Sequence, residues 1–122
     1  MNWSAWGAIS LVLAVALGAF GAHGLKNRLD AYSLGVYEKA VFYHFVHGLG
    51  LLAVGILRRV QTLPASAANR VGTLLALGIV LFSGSLYVLA VTGIKALGAV
   101  TPFGGLAFIA GWALLAWYLL KN

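Results

Sequence analysis

The sequence has 122 residues, of which 62% are hydrophobic and 8% charged, against about 25% charged in a soluble domain. A chain this short leaves much of its surface against solvent, so the composition excludes water as the surrounding medium. The net charge of +6 comes from Lys and Arg set mainly between apolar runs, where they meet lipid phosphate. No basic stripe interleaved with aromatics appears, so nucleic acid is not expected as a partner.

Four apolar runs follow in order, at about 3–22, 40–57, 71–92 and 103–120. Each is near the length of about 20 residues that a helix needs to cross a bilayer. They are continuously rich in Leu and Ala and do not alternate, which predicts helices and not strands. The first run ends in Ala19, Gly21 and Ala22, small residues of the kind found at signal cleavage sites. No Lys or Arg precedes it, so it is expected to stay as the first span. Between the first two runs, Leu25, Leu29, Tyr32 and Val36 recur at helical spacing, with Lys26, Arg28 and Asp30 on the other side. That pattern predicts a short amphipathic helix over 23–39 lying at the membrane interface, with a solvated loop as the alternative.

The second gap holds Arg58, Arg59, Pro64, Ser66, Asn69 and Arg70 and reads as a polar hairpin loop stopped by Pro64. In the third gap, Thr101 is placed to cap the last span with Pro102 at its first helical position. Gly24-Leu25-Lys26 after the first span echoes Gly93-Ile94-Lys95 after the third, as two related hairpins would. The expected fold is therefore an all-α membrane protein, a single four-transmembrane-helix bundle with an interfacial helix between spans 1 and 2. Four crossings put both termini on one side, with Trp3, Trp6, Trp117 and Tyr118 in one interfacial aromatic belt. The Arg58-Arg59 pair on that side favours cytoplasmic termini.

In lipid, helices associate through close packing and interhelical hydrogen bonds. Small residues recur at suitable spacing: Ala14, Gly18 and Ala22 on the first span, Gly48 and Gly55 on the second, Gly78 and Ser85 on the third, Ala107 and Gly111 on the fourth. Gly21, Gly84 and Gly105 are expected to join these packing positions. A homo-oligomer or a membrane-protein partner would use the same kind of face.

Polar groups at membrane depth are costly and need partners. His44 and His47 share one face of the second span, next to Tyr43 and with Glu38 near its start, and His23 closes the first span. The simplest reading is neutral histidines bonded across a helix pair, with Ser83, Ser85, Tyr87 and Thr92 as candidate partners. A metal or haem site would use the same histidines, and a zinc site would need a third ligand such as His23. A proton or substrate pathway would use His44, His47 and Glu38. Glu38 is more simply an interfacial acid at a helix start. There are no cysteines, so thiolate ligation is excluded. No cofactor or resident metal is expected. Ser83-Gly84-Ser85 lacks the strand context and acidic partner of a nucleophile elbow, and no phosphate-binding or dinucleotide motif is present, so no enzyme is expected.

Several segments, taken in order, resemble a family. They are Gly18-Ala19-Phe20-Gly21-Ala22-His23-Gly24-Leu25, Tyr43-His44 with His47, Leu81-Phe82-Ser83-Gly84-Ser85-Leu86-Tyr87, Thr101-Pro102-Phe103-Gly104-Gly105, and Ala110-Gly111-Trp112. Together they are similar to the YgdD-like family of small bacterial inner-membrane proteins of unknown function. The resemblance covers nearly the whole chain and implies a four-span fold in the inner membrane, with no catalytic residues. The first functional expectation is a non-enzymatic protein that interacts with membrane lipids or a partner. The alternatives are an oligomeric small transporter or channel, and a histidine-ligated metal or haem protein.

Overall fold

A computed structural model describes residues 1–121, and every element among them is helical. α1 (Trp3–Phe20) continues into one wide π turn at Gly21–Leu25. α2 runs unbroken from Ala31–Arg59. α3 (Ala65–Gly78) passes through a second wide turn, Ile79–Gly84, into α4 (Ser85–Thr92). A single 3-10 turn at Lys95–Ala99 leads into α5 (Thr101–Lys121). The four resulting rods, Trp3–Leu25, Ala31–Arg59, Ala65–Thr92 and Lys95–Lys121, are each long and apolar enough to cross a membrane.

Local chemistry fixes the ends. The Asn2 side chain accepts the Ala5 amide, and the Asp30 carboxylate accepts the Ser33 amide at 2.7 Å, each satisfying a free donor of a first helical turn. Gly93 ends α4 in the left-handed conformation, at φ 74°, which only glycine enters without strain. Gly24 lies inside a helical turn instead, so the repeated Gly-apolar-Lys triplet does not mark two equivalent hairpin ends.

The interfacial helix expected over 23–39 is not a separate element. Asp30 starts α2, nothing between Ala31 and Arg59 stops it, and the amphipathic stretch divides between the end of α1, a short link and the first turns of α2. Leu25 is buried there with Leu29 and Val36 around Tyr37, while Tyr32 remains exposed. With 29 residues, α2 extends about 43 Å, beyond a hydrocarbon core of about 30 Å. The second gap is also shorter than the polar residues suggested. Pro64 precedes α3 and does not interrupt it, so Ala67 and Ala68 are already buried in its first turns. The turn between α2 and α3 holds Gln61 in the left-handed region and the fully buried Leu63. Thr101 does not cap α5; its hydroxyl bonds Ser85.

α2 lies at the centre, packed against α1, α3 and α4, while α5 packs on α3 and the second wide turn. α1 meets α3 chiefly through Trp3, which stands over Gly72 and donates to the Asn69 side chain at 2.9 Å. Arg70 donates to the Tyr118 hydroxyl at 2.9 Å, which ties α3 to α5 at the same end of the bundle. Trp3 and Tyr118 are therefore packed inside, and Trp6 and Trp117 are the members of the expected belt that face outward.

α1 and α2 approach backbone to backbone. A Cβ on Gly7 would stand 2.5 Å from the Leu52 nitrogen and 2.9 Å from the Gly48 oxygen, and one on Gly55 would strike the Ser4 backbone. Gly104 meets the Phe82 backbone in the same way, and Gly78 lies under the Phe108 ring. Among the positions anticipated from sequence, Gly21 packs on Tyr37, Gly48 on Leu11, Gly18 on Val41 and Gly111 on Leu75. Gly84 and Gly105 are not tight contacts, because a Cβ at either would meet no atom closer than about 3.9 Å.

Gly7→Ala forces two backbones apart and is expected to cost about 1–3 kcal/mol, read as a lower unfolding midpoint in detergent. Gly35→Ala, inside α2 where a Cβ meets nothing within 4 Å, should instead hold or raise that midpoint, because alanine favours the helix over glycine. The Ser33 amide holds the Asp30 carboxyl below its ordinary value of 3.8. This capping contribution is complete above that value and is lost as pH falls through the lower folded-state pKa. The protection factor of the Ser33 amide, the exchange rate of an unfolded peptide at the same pH divided by its own, should fall in that acid window, and Asp30→Ala should show the lower protection at neutral pH.

Candidate functional site

α2 carries His44 and His47 near its midpoint, and both side chains are buried. Their spacing of three residues places them on one side of the helix, yet they face different neighbours. His44 points between α1 and α4. Its Nδ1 lies 2.9 Å from the Tyr87 hydroxyl and its Nε2 lies 3.0 Å from the Ser10 hydroxyl. His47 points toward α5. The Trp112 indole N–H donates to its Nε2 at 2.9 Å, so that nitrogen is the acceptor. Its proton therefore sits on Nδ1, which donates to the Tyr43 carbonyl at 2.7 Å. The His47 ring also stacks on Phe108 with centroids 3.4 Å apart.

The remaining candidate residues are dispersed. Ser83 donates to the Ala40 carbonyl at 2.8 Å and fastens the second wide turn to α2. Ser85 donates to the Phe82 carbonyl and meets the Thr101 hydroxyl at 2.6 Å. Thr92 donates to its own helix at Val88. Tyr87 is thus the third-span residue placed against a histidine. His23 is exposed at the end of α1 and does not converge with His44 and His47. No group of three or more His, Asp or Glu among the described residues is arranged to hold a metal ion. Glu38 is exposed and borders a separate cleft between α1 and α2, with Lys26 on the same rim. It does not share a path with the histidines.

Ser10 and Trp112 were not anticipated as histidine partners. Each is a polar group within an apolar run, which is a visible signal, but nothing in sequence says which helix faces His44 and which faces His47. The close approach of α1 at Gly7 and Gly48 brings Ser10 within reach.

The His44 cluster opens sideways. Because α1 and α3 hardly touch beyond Trp3, a groove of about 700 Å³ lies between α1 and the α3–α4 rod. Its walls are apolar, with Trp6 and Leu13 on one side and Leu77 and Val80 on the other, and Ser10, His44 and Tyr87 line its interior. Gly84 lines it too, and its missing side chain leaves space there instead of admitting a neighbouring helix.

A family model described as "Protein of unknown function (DUF423)" matches residues 17–105. A UPF0382 membrane protein of Staphylococcus saprophyticus is 54% identical over 109 residues, covering 89% of this chain and 88% of that protein. The UPF0382 membrane protein YwdK of Bacillus subtilis is 49% identical over 109 residues, with 89% and 88% covered. One of Staphylococcus haemolyticus is 50% identical over 109 residues, with 89% and 87% covered. These matches agree with the expected class, small membrane proteins of unknown function, without carrying the YgdD-like name. No solved structure matches the chain.

The bonding pattern fixes the His47 tautomer, so nitrogen NMR of histidine-labelled protein in detergent should show a protonated Nδ1 and a bare Nε2. The opposite tautomer would contradict the arrangement. Trp112→Phe leaves that acceptor without a donor and is expected to lower stability by about 1 kcal/mol, measured by thermal unfolding.

Proposed function

The chain belongs to the DUF423 family, and from that premise we propose that it is a non-enzymatic protein of the bacterial inner (plasma) membrane that holds a lipid-like amphiphile between its helices. One observation carries this reading. The groove between α1 and the α3–α4 rod is walled by apolar side chains yet reaches the polar cluster of Ser10, His44 and Tyr87. Ligand sites combine an apolar lining with a few placed polar groups in this way. A groove open to hydrocarbon admits a molecule from the bilayer without passage through water.

Both termini face the cytoplasm in this reading. The Arg58-Arg59 pair ends α2 on the side of the bundle that also holds the start of α1 and Arg70 at the start of α3. Arg58, Arg59, Arg70 and Lys121 on that side face Lys26, Arg28, Lys39 and Lys95 on the other, so the adjacent Arg58-Arg59 pair carries the preference, Lys39 being set beside Glu38 within α2. Lys and Arg near span ends favour the cytoplasmic leaflet.

Gly84 provides the test. A side chain there enters the groove with no atom closer than 4.0 Å to its Cβ. Gly84→Leu is therefore expected to fill the groove without unfolding the bundle. Native mass spectrometry should find a lipid-like molecule retained by the wild type under mild extraction and lost from Gly84→Leu, with the unfolding midpoint held or raised. A wild type that carries no such molecule, or equal retention by both proteins, would sink the reading.

A further inference from the structure

The polar cluster in the groove has one hydrogen more than its own contacts consume. Ser10 and Tyr87 each bring a hydroxyl hydrogen, and a neutral imidazole brings one N–H. His44 is neutral here because the chain's two acidic residues, Asp30 and Glu38, are exposed at the end of the bundle, and an unpaired charge in hydrocarbon is strongly disfavoured. Three hydrogens thus serve two contacts, His44 Nδ1 with Tyr87 and His44 Nε2 with Ser10. If Tyr87 donates to Nδ1, then Nε2–H donates to Ser10 and the Ser10 hydrogen is left over. If Ser10 donates to Nε2, the Tyr87 hydrogen is left over. Either tautomer leaves one hydroxyl donor without an acceptor, and both hydroxyl residues line the groove. Buried donors are rarely left unmatched.

The depth of the cluster selects the acceptor. His44 follows the start of α2 at Ala31 by 13 residues and precedes its end at Arg59 by 15, so it lies about 20 Å from either end at about 1.5 Å per residue. A phospholipid keeps its charged headgroup at the interface and cannot bring it to that level. A carboxylate there would lack a cation, since no Lys or Arg lines the groove. A neutral molecule with an acceptor oxygen at its polar end and an apolar bulk fits these limits. Lipid quinones are membrane-resident molecules of that chemistry. The groove opens sideways between its apolar walls at Leu13, Leu77 and Val80, which lets an apolar tail remain in hydrocarbon.

We propose that the groove binds the head of a lipid quinone, with one quinone carbonyl accepting the spare hydroxyl hydrogen of the Ser10–His44–Tyr87 cluster. This rests on the amphiphile-binding reading above and specifies its ligand. Only binding is involved, and no electron or proton transfer is invoked.

Two probes of equal tail length separate the claims: decyl-benzoquinone, which has carbonyl acceptors, and decylbenzene, which has none. Both are titrated into the full chain in lipid nanodiscs, with tryptophan fluorescence as the signal because Trp3 and Trp6 line the groove. The quinone is expected to bind about tenfold more tightly than decylbenzene, the effect of one buried hydrogen bond. Its carbonyl infrared band should move to lower wavenumber than in empty nanodiscs, and Gly84→Leu should abolish saturable binding of both probes. Equal affinity of the two probes with an unmoved carbonyl band would overturn the quinone assignment and leave amphiphile binding standing. Failure of both probes to bind would overturn both. Quinone binding untouched by Gly84→Leu would place the molecule elsewhere and also end the proposal.

Discussion

Between α1 and α2, the absence of side chains at Gly7, Gly48 and Gly55 lets two backbones meet at distances that no Cβ would allow. In lipid such close approach, with interhelical hydrogen bonds, supplies cohesion, since leucine gains nothing by leaving one hydrocarbon for another. Its consequence reaches the middle of the bundle. Ser10 stands one turn from Gly7 and is carried by that contact to His44. Were the seam wider, the imidazole would keep Tyr87 and lose its second partner.

The histidines show how one helix face serves two neighbours. His47 is locked among Tyr43, Phe108 and Trp112, with both ring nitrogens committed. It works as a polar rivet between α2 and α5. His44 is held as firmly, but by two hydroxyls that retain a hydrogen of their own. That difference arises from the donors and not from the histidines: an indole N–H and a backbone carbonyl leave nothing over, whereas a pair of hydroxyls does.

The wide turn at Ile79–Gly84 belongs to the same design. Ser83 fastens it to the Ala40 carbonyl of α2, and Phe82 receives Gly104 of α5. The rod of α3 and α4 is thus held toward α2 and α5, and α1 is held on α2 by its glycine seam. The space left between α1 and that rod is the groove. Membership of the DUF423 family is consistent with this membrane fold, and relatives in Staphylococcus and Bacillus share most of its length.

The sequence by itself determined the medium, the four spans and their helical form. Continuous apolar length is a property of each segment alone, and in hydrocarbon every backbone amide must be satisfied within its own helix. It also marked His44, His47 and Tyr87 as polar groups in need of partners. Only the tertiary structure decided that Ser10 and Trp112 supply two of those partners, that His23 and Glu38 stay apart, and that Gly84 borders space while Gly7 and Gly104 touch backbone. Likewise, the stretch ahead of the second span became the opening turns of α2 because Asp30 caps a helix that nothing interrupts. These outcomes depend on which faces meet and how each helix is rotated. Rotation is set by packing of small residues against particular neighbours, and apolar periodicity is silent about it where lipid and protein interior are equally apolar.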